Sequence, residues 1–124
     1  MRVLKFRAWD EDSQKMNGNV EIYINKDKTI EVRSKDDKTI VMQFTGLKDE
    51  NGKEVFEGDI IKDSEDFIAQ VVYDKEYAGF GLNYQPFDLT EGLSVTFEEL
   101  KNEYQNTFEI IGNIYENPEL LEGE

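Results

Sequence analysis

Apolar residues fall on every second position through most of this chain, and that period of two constrains the fold more than any other feature. Leu4, Phe6 and Ala8 share one face of an extended segment, as do Val20, Ile22 and Ile24, then Ile40, Met42 and Phe44, then Phe67, Ala69, Val71 and Tyr73. Such alternation is the signature of strands with one buried side. The organising stretch runs from Met42 to Ile61. It reads as strand, turn, short strand, tight turn, strand. Asn51-Gly52 predicts a hairpin whose two central residues adopt positive φ, and Gly58-Asp59 marks the second turn, leading into Ile60 and Ile61. Asn51, Gly52, Gly58 and Asp59 are therefore read as structural turn residues.

The remaining elements follow from the same two signals. Arg2 to Trp9 is predicted as a strand with Lys5 and Arg7 on its outer face, and Asp10 to Lys15 as a turn. Asn17-Gly18-Asn19 is a second Asn-Gly turn signal, ahead of a hairpin of Val20–Ile24 and Ile30–Val32 that turns at Asn25 to Lys28. Ser34 to Lys38 is polar and turn-like, and Thr39 to Thr45 resumes alternation. Asp63 to Asp66 is an acidic turn before Phe67 to Tyr73, whose two apolar faces predict a central strand. Tyr77 to Tyr84 is its antiparallel partner, where Gly79 and Gly81 suggest a bulge or a close backbone approach. Gln85 to Gly92 reads as a mobile loop. Thr96 and Glu99 form a capping box for a short helix over 97–104. A strand from Thr107 to Ile111, extending toward Ile114, comes next, and Asn117-Pro118 opens a last helical turn.

Composition matters most for what it excludes. The chain of 124 residues has no cysteine and no histidine, so disulfides, thiolate or imidazole zinc sites, and Ser-His-Asp or Cys-His nucleophilic centres have no parts to be built from. At this length one domain with its own core is expected. No apolar run approaches the ~20 residues of a membrane span, and a cytoplasmic protein is expected. The formal net charge is -14. Residues 1–47 carry nine basic and eight acidic side chains, net +1, and residues 48–124 carry five and twenty, net -15. Nucleic-acid binding, which draws on Lys and Arg to displace counterions, is disfavoured by such a surface.

Four constellations were weighed for chemistry. Asp49, Glu50 and Asn51 supply calcium-type oxygens, but Gly52 and Ile60 stand where an EF-hand would need other positions filled, so the stretch is read as a plain turn and no metal or other cofactor is expected. Glu57 and Asp59 straddle a glycine and are a candidate pair for acid-base work, although 28 acids in the chain make such neighbours common and a solvated face is the favoured reading. Lys5 and Arg7 beside Trp9 are a candidate anion site, explained equally by an outward strand face. The aromatic residues, eight Phe, six Tyr and one Trp, are read mainly as core packing. Tyr73, Tyr77, Phe80, Tyr84, Tyr104 and Tyr115 are the interface candidates among them.

Three blocks in order go further than periodicity. Leu4-Lys5-Phe6-Arg7-Ala8-Trp9-Asp10, then Met42 to Asp49 with Asn51 to Glu54 and Glu57-Gly58-Asp59-Ile60, then Ile111-Gly112-Asn113-Ile114-Tyr115-Glu116-Asn117-Pro118-Glu119-Leu120-Leu121, together resemble the YopX protein family; Val71 to Phe80 fits it too. The resemblance covers nearly the whole chain and is weakest over residues 12–39. It implies a small, β-rich protein of bacteriophages and prophages of Gram-positive bacteria, acting in the host cytoplasm, and it brings no catalytic residues with it.

The expected architecture is a mainly-β unit with an N-terminal strand and hairpin (1–40), a small SH3-like, partly open β-barrel (41–115) carrying one short α-helix near the C-terminus, and an acidic tail (116–124). The expected function is non-enzymatic: an accessory protein that binds protein, as a homo-oligomer or with a host factor. The alternatives are an acidic mimic of nucleic acid built on the net -15 segment, a carboxylate-only magnesium-dependent hydrolase using Glu57 and Asp59, and a weak nucleic-acid binder working through the N-terminal third.

Overall fold

The computed structural model describes residues 5–17, 20–34, 39–84, 95–102 and 107–122. They form a mostly β structure: β1 (Phe6–Asp10), β2 (Lys15–Asn17), β3 (Val20–Ile24), β4 (Ile30–Ser34), β5 (Thr39–Lys48), β6 (Glu54–Phe56), β7 (Asp59–Asp63), β8 (Ile68–Asp74), β9 (Gly79–Tyr84), β10 (Val95–Thr96), α1 (Phe97–Asn102), β11 (Phe108–Asn113) and a 3₁₀ helix (Pro118–Glu122). One sheet has the order β2-β1-β5-β6 and a second the order β10-β9-β8-β7-β11, with β3 and β4 paired as a separate hairpin. Every pairing is antiparallel. The second sheet curls into a half-barrel with β8 at its centre, as the two apolar faces of that strand predict.

The core lies inside the curl. Val55, Ile61, Ala69, Val71 and Leu82 are fully buried, Leu100 of α1 closes one end, and Phe97, Phe108 and Ile110 pack around them. Each such aliphatic side chain contributes about 1.5–3 kcal/mol by leaving water. Alternation placed these residues well: Met42 and Phe44 are buried from β5, and Ala69 pairs with Tyr84, Val71 with Leu82 and Tyr73 with Phe80 on one face. In α1 the Thr96 and Glu99 side chains each accept the other residue's backbone N–H, at 3.0 and 3.2 Å, which is the expected capping box.

Five loops share one device. At Asp49–Lys53 the Asp49 N–H donates to the Lys53 carbonyl, the Gly52 N–H donates back to the Asp49 carbonyl, and the Asp49 carboxylate accepts the N–H groups of Asn51 and Lys53. Gly52 alone of the Asn-Gly pair has positive φ, at 81°. The expected two-residue hairpin is thus replaced by a three-residue loop, a type I turn followed by one left-handed residue. Asp63–Phe67 repeats the pattern bond for bond with Asp66 at φ 70°. Asp10 and Asp74 cap their loops through side-chain bonds to following N–H groups, ahead of Gln14 at φ 56° and Ala78 at φ 60°. Asn25–Thr29 does so with Asp27 as the capping acid and Lys28 at φ 68°. Several of the chain's acids are therefore turn parts.

The two sheets meet where β6 hands over to β7 at Gly58, with φ 90°. Its N–H donates to Val71 and its carbonyl accepts from Ile114, while Glu57 N–H donates to Gln43. A side chain on Gly58 would meet Met42 Sδ at 3.0 Å, so both the φ and the space call for glycine. The far edge of β11 is covered by the loop of the β5–β6 hairpin: Glu50 N–H donates to the Phe108 carbonyl, and Ile110 N–H donates to Asp49 Oδ2 at 2.9 Å. Edge groups that would otherwise be open to pairing are satisfied this way.

Several expectations change. Met16 and its neighbours are a strand, paired with β1, where a turn at Lys15 and another at Asn17 had been read. Tyr77 lies in the β8–β9 loop, and β9 pairs with β8 without a bulge; the close approach is real at Gly79, where an added Cβ would stand 3.1 Å from the Tyr77 ring. Phe67 precedes its strand and is exposed. The bulge sits in β11 at Ile111 instead. Asn117 Oδ1 reaches back to Asn113 N–H rather than capping the last helix; residues 113–117 form a hydrogen-bonded clasp, and the last helical turn follows as a 3₁₀ helix over Pro118–Glu122. The loop 85–92 lies outside the described residues.

Candidate functional site

The three sequence blocks, over the described residues 5–10, 42–60 and 111–121, converge at the junction of the sheets. Asp59, the first residue of β7, is 2% exposed. Its Oδ2 accepts the Phe56 N–H at 2.8 Å across the tight turn, and its Oδ1 accepts from Arg7 Nη2 of β1 at 2.7 Å. Arg7 Nη2 also donates to the Glu57 carbonyl at 3.3 Å, and the guanidinium lies 4.7 Å from the Phe56 ring centroid. Arg7 Nε is buried and, among the described residues, has no hydrogen-bond partner. Burial pushes the Asp59 carboxyl above the usual carboxylate range, and the Arg7 charge and the Phe56 N–H only partly offset that. Arg7 is therefore an interior cation, not the outward residue predicted from alternation; Trp9, on the same side, stacks on Tyr115 at 5.8 Å.

This geometry sets what the carboxylate pair offers. Both oxygens of Asp59 are engaged, so it does not open toward a metal or substrate beside Glu57. Glu57 instead borders a separate hollow of about 270 Å³ with Gln70 and Tyr115. Burial, followed by the Glu57 charge, raises the Tyr115 phenol above its ordinary range, with Arg7 opposing. Asp49, the leading oxygen of the calcium-like stretch, is likewise occupied by three N–H groups. Among the described residues no group of three or more potential metal ligands comes together.

The aromatic interface candidates divide by location. Tyr84 donates its hydroxyl to Asp63 Oδ2 at 2.9 Å, and burial, followed by that hydrogen bond, drives its pKa upward. Tyr84 and Tyr115 are thereby tied to internal contacts. Tyr104 lies outside the described residues. Tyr73, Tyr77 and Phe80 stay together at the loop end of the β8–β9 hairpin: Tyr73 and Phe80 meet edge to face at 5.2 Å, and Tyr73 and Tyr77 are 47% and 53% exposed. Leu47, 41% exposed, and Phe97 complete an apolar floor between two adjoining hollows. One, of about 480 Å³, runs from Leu47 to Tyr77 and Phe80; the other, of about 560 Å³, lies between the β5–β6 loop and α1. Leu47, Phe97 and Glu98 border both.

Sequence reasoning does not find Leu47 and Phe97 as site residues, and it places Arg7 beside Lys5 on an outward face rather than against Asp59. For Leu47 the signal is Gly46, which has φ 90° in a strand whose pairing skips between Phe44 and Lys48 and so breaks the alternation. Nothing local to Arg7 distinguishes it from Lys5, which bonds the exposed Glu54.

A family model described as YopX protein matches residues 5–122. The crystal structure of protein EF1440 from Enterococcus faecalis is similar, with a TM-score of 0.66 and 28% identity over 98% of this chain and 99% of that one. Among curated proteins none matches. No helix among the described residues is long and apolar enough to cross a membrane.

Proposed function

The chain belongs to the YopX protein family, and on that premise we propose that it is a non-enzymatic accessory protein of phage or prophage origin. It works in the bacterial cytoplasm by binding protein, whether a further copy of itself or a host factor. The observation that carries this reading is the contrast between engaged polar groups and exposed aromatic ones. At the sheet junction Arg7 and Asp59 are turned onto each other and onto the backbone, and in the β5–β6 loop the Asp49 carboxylate is taken up by backbone N–H groups. At the loop end of the β8–β9 hairpin Tyr73 and Tyr77 are exposed, and Leu47 is exposed on the hollow that Tyr77 also lines; exposed aromatic and apolar surface of this kind marks interaction sites.

The test is light scattering over a range of concentrations, combined with affinity purification from bacterial cells, on the wild type and on a Tyr73→Ser/Tyr77→Ser variant. Self-association, or a specific protein recovered by the wild type and lost by the variant, is expected. A monomer that recovers the same proteins whether or not the tyrosines are present would overturn the reading.

A further inference from the structure

The geometry points to a partner of defined chemistry for the groove between the β8–β9 loop and α1: a basic segment of another protein that places apolar side chains in the two hollows beside Leu47 and sets Lys or Arg against Glu98. This inference rests on the protein-binding reading above and names the partner class. The two hollows share Leu47 and Phe97 as floor, so a single extended or helical segment passing over them would bury apolar groups on both sides of one ridge. The Tyr77 ring lies against Gly79, where an added Cβ would stand 3.1 Å away, and both residues line the smaller hollow.

Charge decides among occupants. Among the described residues Glu98, exposed in the first turn of α1, is the one charged residue bordering the smaller hollow, and it is shared with the larger. Lys48 and Lys101 border only the larger hollow, together with Asp49 and Glu50. The field around the groove is that of a chain with net charge -14. A second copy would bring a further -14 toward it, and like-charge juxtaposition is costly, whereas a cationic segment is drawn in and aligned by the same field.

Three short synthetic peptides serve as probes: one alternating leucine and lysine, one alternating leucine and glutamate, and one alternating serine and lysine. Binding is followed by calorimetry and by backbone amide shifts in the full chain. The leucine-lysine peptide is expected to bind and to shift amides at Leu47, Tyr77, Phe97 and Glu98. Its affinity should fall about tenfold or more in Leu47→Ser and in Tyr77→Ser, fall again in Glu98→Lys, and weaken between about 20 and about 200 mM salt. Because Leu47, Tyr77 and Glu98 are exposed, the variants should melt as the wild type does. The serine-lysine peptide, which reports charge alone, should bind at least about tenfold more weakly. Equal binding of the leucine-glutamate peptide, affinity unchanged in both Leu47→Ser and Tyr77→Ser, or no binding of any peptide overturns the inference. If the wild type instead forms a dimer that Leu47→Ser dissociates, the occupant is a second copy: the inference falls and the protein-binding reading stands. If neither peptide binding nor association is seen, the inference falls, and the protein-binding reading falls with it only if affinity purification also recovers no protein that depends on Tyr73 and Tyr77.

Discussion

Asp49 and Asp59 are buried carboxylates ten positions apart, and their surroundings push them in opposite directions. Burial opposes ionisation of Asp49, but the N–H groups of Ile110, Lys53 and Asn51 together hold its carboxyl below the ordinary range. Its stabilising contribution is present above the unfolded-state pKa of about 3.9 and is lost as pH falls through the lower folded value. Asp59 is raised, chiefly by burial. Its contribution is present below the unfolded-state pKa and is lost as pH rises through the folded value. Removing the counter-charge sharpens this: Arg7→Met should cost about 3–5 kcal/mol near neutral pH, the usual penalty for leaving one partner of a buried pair alone. The cost should shrink at acidic pH, as the raised Asp59 carboxyl takes up a proton. Urea unfolding at the two pH values measures it, and an equal cost at both would show that Asp59 does not depend on Arg7 for its charge. Strain at single residues is equally testable. Lys28 holds φ 68° with an exposed side chain, so Lys28→Gly should stabilise by about 1 kcal/mol, seen as a raised melting temperature. Lys26→Gly in the same loop, at a position without positive φ, should lower it.

At the scale of elements, the β5–β6 hairpin does more than turn the chain. Its loop covers the β11 edge through Asp49 Oδ2 and the Glu50 N–H, and so holds the half-barrel to the first sheet. Asp49→Ala leaves three N–H groups without their charged acceptor. A loss of about 1.5–3 kcal/mol is expected, the range for hydrogen bonds to charged groups. Hydrogen exchange at the Ile110 amide should accelerate more than exchange at Ile61, in the neighbouring strand. Uniform acceleration across β7 and β11 would mean that the loop carries no particular share of the edge. The last elements are coupled as tightly. A Cβ on Gly112 would stand 2.5 Å from Asn117 Oδ1, so the bulged end of β11 and the clasp after it accept only glycine without moving Asn117.

For the whole molecule, charge is the dominant long-range term. With net charge -14 and few described ion pairs, of which Lys5–Glu54 is exposed and Arg7–Asp59 buried, added salt should screen more repulsion than attraction. The melting temperature should therefore rise between about 20 and about 200 mM sodium chloride; a fall would mean that attractive surface pairs outweigh the net field. The strands, the loops and the capping box of α1 were legible from sequence because each depends on residues within about five positions: alternation sets which side is buried, and an Asp or Asn accepting nearby N–H groups makes a loop. The Asn51-Gly52 loop shows the limit even there, since the Asp49 side chain chose a turn with one left-handed residue over the two-residue form. Arg7 and Asp59 stand 52 positions apart, and only the curling of one sheet against another brings them together and turns Arg7 inward. The same curling gathers Leu47, Tyr77 and Phe97 from three separate elements into one open groove. Turn chemistry and strand periodicity belong to the sequence by itself because they are local; the buried pair and the groove belong to the tertiary structure, because sheet curvature and contact between distant strands are set by packing the whole core.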